Sequence, residues 1–512
     1  MDLDLVRALT AEFLSLDRRV GIWLALLCGM TFGVVVFSVV YPIQFVGLDF
    51  QSFWCGGAVL LAHANPYLNQ PLHACEAAHS PVFFSAYPNA TIPVPLPPYA
   101  IALLAPLSLI PFPLARGLWW IVLAAAAYAV GTGIAKITGM SPLTATAASY
   151  LAVLGPAIFP GALAPIPVAV TVFAALALKQ KKWNRAAILL GLAMIEPHMV
   201  LPACAAAFLF VPQMRLRLIV LGLFTALVMI AVVGPHVVAS YFAVILPTHA
   251  LAEVNNLAQY SLTAVLYHLG FAPGLAVRIG SVQYAVLITA SVFVAGRLQR
   301  KTGDLSWLVL APSAFAVIGG PFIHLDQVAM VIPMACAIVR SRPTKLASVI
   351  LVMLAIPGEI LINWLPFTLP AALICGWLVA QTKARWAVAI ASSIAVVVVA
   401  CSLVALLIFG NHLMAASGTP YPAVPTIRVA APGPDASASV PWAQFTSSAV
   451  FRPWIWWPEK LLTLVPVLVL LGLTLREALG KSRAAGSAGC TSSPNSALDT
   501  YSSARAASPG TY

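Results

Sequence analysis

Long apolar runs alternate with short polar joints along nearly the whole chain, and the joints are of two kinds. One kind carries Lys and Arg in tight clusters; the other carries none. Apolar runs of about 20 residues are long enough to cross a bilayer as helices, and Lys and Arg gather on the cytoplasmic side. The pattern therefore predicts an all-α polytopic membrane protein whose joints report sidedness. Residues 1–19, with Arg7, Arg18 and Arg19, form a cytoplasmic N-terminus, and Val20 to Pro42 is the first span. Residues 43–97 hold no Lys or Arg and make a long outer loop. Pro93, Pro95, Pro97 and Pro98 give that loop a stiff, extended end. Span two is expected at Tyr99 to Phe112, an inner turn at Arg116, and span three at Gly117 to Ala135.

The next stretch sets two rules against each other. Leu143 to Leu178 reads as two spans broken at Gly155-Pro156 and Pro160-Gly161, yet two spans would put Lys179, Lys181, Lys182 and Arg185 outside. One net crossing by a broken helix resolves this, since irregular backbone at membrane depth is tolerated where it lines a cavity. Ala186 to Val211 lies between basic clusters and is too short for two crossings at about 20 residues each. It is expected to be a re-entrant hairpin with Glu196-Pro197-His198 at its tip. Beyond it, residues 236–270 form a second outer loop without Lys or Arg, and Arg278 starts the return span. Trp307 to Phe322 and Val328 to Val339 make a hairpin whose outer tip holds His324 and Asp326. Two short spans meet near Asn363, and Trp386 to Phe409 goes out again. Residues 410–458 are a Pro/Ala-rich outer loop in which Trp442, Trp454, Trp456 and Trp457 suit an interfacial belt. A last span from Lys460 to Leu475 leads to a Ser/Ala/Gly-rich cytoplasmic tail over 476–512, expected to be disordered. The total is about twelve spans plus the re-entrant hairpin.

Composition agrees and narrows the class. The 512 residues are 61% hydrophobic and 8% charged, far below the roughly 25% charged of soluble domains. The net charge of +12 lies in the topological clusters and forms no basic stripe, so no nucleic-acid partner is expected. Met1 to Arg19 has no cleavable signal pattern. The Cys show no metal-ligand spacing. Cys55 and Cys75 share the outer loop, where a disulfide is chemically permitted. No cofactor is expected; a divalent metal is conceivable, but His324-x-Asp326 is a weak ligand pattern and no HExxH or DxD occurs.

Polar groups gather on the outer face. They include Asp49, Asn65, Tyr67, Glu76, Glu253, Asn255, Asn256, Arg278, His324 and Asp326. Asp49 opens a helix-like segment just after the first span, where it reads either as an N-cap or as a reactive carboxylate. Amides and carboxylates with little positive charge suit a polyol better than a polyanion. Inner loops too short for a nucleotide-sugar domain imply that any sugar donor is lipid-linked. Glu196 and His198 either see substrate or pair only with each other. Arg278 and Lys136 are outer-side cations that could contact a phosphate.

The run Asp49-Phe50…Gly56-Gly57…Asn65-Pro66-Tyr67, followed by Pro97-Pro98-Tyr99…Leu103-Leu104-Ala105-Pro106-Leu107…Trp119, resembles glycosyltransferase family 87. The likeness is clearest over about residues 45–125 and continues through Glu196-Pro197, Asn255/Asn256 and His324…Asp326. It implies a GT-C-like fold over 20–475 and transfer of mannose, another hexose or arabinofuranose from a polyprenyl-phosphate donor. The acceptor would be a lipid or glycan, met on the outer face of the inner membrane amid membrane lipids. The resemblance implies inversion, with Asp49 as catalytic base and His324 a second polar group of the active site. Substrate contacts are then expected from His324, Asp326, Asn65, Tyr67, Asn255, Asn256, Arg278, Glu196 and His198. This chain departs from the pattern at Ala164-Pro165-Ile166-Pro167, and at Glu196, where related sequences often carry a basic residue. A lipid-sugar flippase and a non-catalytic envelope-assembly subunit are the alternatives.

Overall fold

The computed structural model describes residues 47–80, 83–84, 87–158, 160–341, 344–355, 433, 435–447, 451 and 453–480. Among these every named element is a helix, as lipid demands of a backbone that must satisfy its own hydrogen bonds. The first span, the spans near Asn363 and Trp386, and the tail after Gly480 lie outside the described residues. Among the described residues four helices are long and apolar enough to cross a membrane: Phe112–Thr138, Pro212–Glu253, Pro273–Thr302 and Trp456–Leu479.

The helices are α1 (Leu48–Leu61), α2 (Asn69–His79), α3 (Pro98–Leu104), α4 (Phe112–Thr138), α5 (Pro142–Ser149), α6 (Gly155–Ile158), α7 (Pro165–Lys179), α8 (Trp183–Ala193), α9 (Pro197–Phe210) and α10 (Pro212–Ser240). There follow α11 (Leu246–Glu253), α12 (Leu262–His268), α13 (Pro273–Thr302), α14 (Trp307–Ala316), α15 (Leu325–Val328), α16 (Ile332–Ser341), α17 (Lys345–Ala355), α18 (Ser439–Ser447) and α19 (Pro453–Leu479). Pro stands at the first or second position of α3, α4, α7, α9, α10, α11 and α13, where its missing N–H costs nothing.

The structure corrects the expected path between the two loops. Tyr99 to Phe112 is no crossing. It folds as α3 and a 3-10 turn, Ala105–Leu109, which lies along α1. Trp54 Nε1 donates to Leu107 O at 3.0 Å, and Ser108 Oγ donates to Trp54 O at 2.6 Å. The chain thus enters α4 still on the Asp49 side, where Phe50 stacks on Phe112 and Trp119 at 6.0 and 5.2 Å. Arg116 is accordingly no inner turn, for it lies beside Gly47. The far end of α4 meets the end of α7: Lys179 Nζ donates to Ile137 O at 2.7 Å and pairs with Asp304 at 3.0 Å. The broken stretch between them goes out and returns, so it makes two passes where one net crossing was expected. Once span two is removed, those two passes keep Lys136, Lys179 and Lys182 on one basic end, and the conflict with the positive-inside rule disappears.

The chain reverses at Pro160-Gly161, one of the two expected breaks, while at the other, Gly155-Pro156, it stays helical. Between α5 and α7 the chain passes through a π-helical turn, Tyr150–Leu154, the single turn α6, and a reversal at Gly161. Trp183 to Val211 is likewise two helices meeting at Met194–Glu196. Arg217 Nε donates to Asn184 Oδ1 at 2.5 Å, which brings the two ends of this hairpin together. Residues 236–253, expected in a loop, are helical: α10 kinks at Gly234 (φ 78°) before Pro235 and continues through a π turn into α11. Cys55 and Cys75 are disulfide-bonded, tying α1 to α2.

Candidate functional site

Two glycines place Asp49. Gly47 (φ 78°) and Gly161 (φ 72°) both hold left-handed backbone, and a Cβ on Gly161 would stand 3.4 Å from Gly47 Cα and 3.0 Å from Phe50 Cβ. That approach lets Asp49 N–H donate to Pro160 O at 2.9 Å, while Trp119 Nε1 holds Gly161 O at 2.8 Å. Gly47 is the N-cap residue of α1 and Asp49 lies in its first turn, with no side-chain capping bond. The cap reading of Asp49 therefore fails. Ser52 Oγ donates to the Asp49 backbone carbonyl at 2.9 Å, and no described side chain is bonded to the carboxylate.

The loop between α14 and α15 brings the second half. Gln259 and His324 form an antiparallel bridge, and Tyr260 N–H donates to Ile323 O at 2.7 Å. The Gln259 side chain completes the join: Oε1 accepts from Ile323 N–H at 2.6 Å and Nε2 donates to Glu253 Oε2 at 2.7 Å. Glu253, 2% exposed, also accepts from Asn256 Nδ2 at 2.8 Å and from Trp442 Nε1 at 2.6 Å. His324 Nε2 lies 3.3 Å from Glu253 Oε2 and 2.9 Å from Gln259 Nε2. The neutral ring accepts from Gln259 at Nε2, whereas the protonated ring donates to Glu253, so protonation exchanges one partner for the other.

Glu196 and His198 do not merely pair with each other. Gln327 reaches back from α15, its Oε1 accepting from His324 N–H at 3.0 Å and its Nε2 donating to Glu196 Oε2 at 2.9 Å. His198 Nε2 stands 3.7 Å from Glu196 Oε2, beyond hydrogen-bond reach. Two tyrosines fix the hairpin tip: Tyr99 OH donates to Met194 O and Tyr284 OH to His198 O. α15, carrying Asp326, packs against α6, next to the turn that holds Asp49.

Charge ties the groups together. Burial first, then the neighbouring Asp326, pushes the Asp49 carboxyl up to about 7, with His324 opposing. Asp326 is also raised by burial, against the pull of His324. For His324 burial works the other way, but Glu253, Asp326 and Asp49 together raise it to about 9. The assembled site is thus a set of carboxylates around one imidazole that favours its charged form.

Of the expected site residues, Asp49, Glu196, His198, His324 and Asp326 come together, and Asn256 joins them through Glu253. The others stand apart. Asn65 Oδ1 accepts from Tyr67 N–H at 3.0 Å in a turn, and Tyr67 OH, buried, donates to Leu96 O at 2.8 Å. Asn255 is half-buried, with no described side-chain hydrogen bond, and Arg278 is exposed in the second turn of α13. Lys136 is misplaced by the expectation, because it sits at the basic end, next to the Ile137 carbonyl held by Lys179. Trp442 and Trp456, assigned to an interfacial belt, instead donate indole N–H groups to Glu253 and to Leu257 O. Gln259, Gln327 and Trp442 were given no place in the site by the sequence reading, because nothing local ties them to partners far away in the chain; Glu253 stood among the outer-face groups without a role. Among the described residues no group of three or more His, Cys, Asp or Glu side chains is arranged to hold a metal ion.

The model of glycosyltransferase family 87 matches residues 96–321. The matched stretch is less than half of the chain and supports the resemblance to family 87; that family indicates a membrane glycosyltransferase, with a sugar donor and an acceptor as its substrates. No curated protein and no solved structure matches the chain. The family 87 region includes Glu196, His198, Glu253, Asn256 and Gln259; Asp49, His324, Asp326 and Trp442 lie outside it.

Proposed function

We propose that the protein transfers a sugar from a polyprenyl-phosphate donor to a lipid or glycan acceptor on the outer face of the inner membrane, with Asp49 as general base. The observation that carries the reading is Asp49 itself. Its carboxylate has no capping role and no described side-chain partner, yet it stands in the field of Asp326 and His324 beside a family 87 region. In the proposed reaction an acceptor hydroxyl attacks the anomeric carbon while Asp49 takes its proton. The bond from that carbon to the phosphate oxygen breaks, and polyprenyl phosphate leaves with the electron pair, giving inversion. A carboxyl ionising at about 7 is matched to that task near neutral pH. His324, charged below about 9, offers the phosphate a cation. The lack of Lys and Arg over residues 43–97 and the Cys55–Cys75 disulfide support an extracytoplasmic active face.

Incubating the purified protein with radiolabelled polyprenyl-phosphate mannose and a membrane lipid extract tests the reading. Labelled acceptor and released polyprenyl phosphate are expected in equal amounts. Should mannose fail, arabinofuranose and other hexoses on the same carrier are tried; no transfer from any of them would overturn the donor assignment.

A further inference from the structure

The segment after residue 433 is far from the family 87 region in sequence, yet it is strapped across the site. Asn69 N–H donates to Ala436 O at 2.8 Å and Ala438 N–H to Tyr67 O at 3.0 Å, so the segment is laced to the start of α2. It then turns into α18, which lies on α11. Thr446 Oγ1 donates to Ala252 O at 3.2 Å, and the Trp442 indole donates to Glu253 Oε1 at 2.6 Å. Glu253 presents its other oxygen to His324 at 3.3 Å. An indole N–H, a buried carboxylate and an imidazole thus stand in line, contributed by α18, α11 and the turn before α15.

We infer that Trp442 and Glu253 are positioning residues, through which the strap holds His324 in its charged form and in one orientation toward Asp49. The inference rests on the reading above in that His324 serves the transfer. A carboxylate buried to 2% exposure is costly unless donors converge on it, and Trp442, Asn256 and Gln259 supply three. Only two described imidazoles stand within 4 Å of it, and His324 at 3.3 Å is nearer than His249 at 3.8 Å. The ionisable groups that act on His324 are Glu253 and His249 on α11, Asp326 on α15, Asp49 on α1, and Glu196 and His198 at the hairpin tip. Of these, Glu253 alone combines a charge-assisted contact with a fixed geometry. The Trp442 bond sets which oxygen faces the ring.

The test is a histidine titration that needs no substrate. The full-length protein in detergent is labelled with ¹⁵N-histidine, and the His324 signal is assigned by its loss in His324→Gln. The wild-type ring is expected to stay an imidazolium to about pH 9, and Glu253→Gln to lower its midpoint to about 6.5 or below. Trp442→Phe keeps the ring and removes only the N–H, so a smaller move in the same direction is expected. An unchanged midpoint in folded Glu253→Gln overturns the inference, and an unchanged midpoint in Trp442→Phe removes Trp442 from it. In sugar transfer the alkaline limb of kcat should follow the same midpoints. A limb that stays fixed while transfer continues also sinks the inference. Moved midpoints without transfer in any variant uphold the positioning role and count against the transferase reading.

Discussion

The two ends of the helical bundle use charge in opposite ways. At the basic end, ion pairs such as Lys179–Asp304 join helix ends near the surface, with side chains 37% and 25% exposed. Pairs of that kind contribute about 0–1 kcal/mol; their consequence is sidedness rather than stability. At the other end the carboxylates of Glu253 and Glu196 are 2% and 6% exposed, and amide and indole donors from distant segments hold them. Buried carboxylates weaken a fold unless every oxygen is satisfied, so their presence supports placing the proposed active site at that end. Cations placed by topology are cheap and replaceable, whereas carboxylates placed by tertiary contacts are neither.

The largest effect that sharpens this contrast is expected at His324. Replacement by Gln keeps a polar side chain but removes the imidazolium that opposes the carboxylates around Asp49, and transfer should fall by about 10²–10³-fold with KM little changed. Steady-state kinetics on folded variant would show it. Next is Gly161→Val, which forces a side chain into left-handed backbone and against Phe50. A loss of about 1–3 kcal/mol, read as a lower midpoint of thermal unfolding in detergent, is expected. The pH profile comes third. Asp49 must lose its proton to act, so the rate should rise tenfold per pH unit up to about 7; His324 must keep its proton, so the rate should fall above about 9. By the same sign, whatever stability the His324 charge contributes is present below its ordinary value and lost as pH rises through about 9. The smallest effect belongs to the basic end: Lys179→Ala should change stability by at most about 1 kcal/mol and leave transfer intact. A large loss of transfer there would break the contrast.

What the sequence made legible follows the same division. The reversal at Pro160-Gly161, the helix break at Glu196-Pro197 and the tip at His324…Asp326 could be read locally, because Pro and Gly act on their own backbone. The side on which the Asp49 loop lies could be read from the absence of Lys and Arg over residues 43–97. The path from Tyr99 to Lys179 could not, since an apolar run of a dozen residues is equally a short interfacial helix and a poor span. Only the packing of Ala105–Leu109 along α1 decides it, and that rests on partners some 50 positions away, such as Trp54 with Leu107. The Glu253 network was illegible for the same reason. Trp442 lies 189 positions from the oxygen it holds, and an indole in a Trp-rich loop near a span looks like an interfacial anchor.

The central claim is that Asp49 is the base, and single-turnover transfer by wild type beside Asp49→Asn tests it most directly. Asn is nearly isosteric and cannot accept the proton. Transfer is expected to fall by about 10²–10⁴-fold while donor binding and the thermal midpoint stay near wild type. Equal transfer by the two proteins would contradict the account.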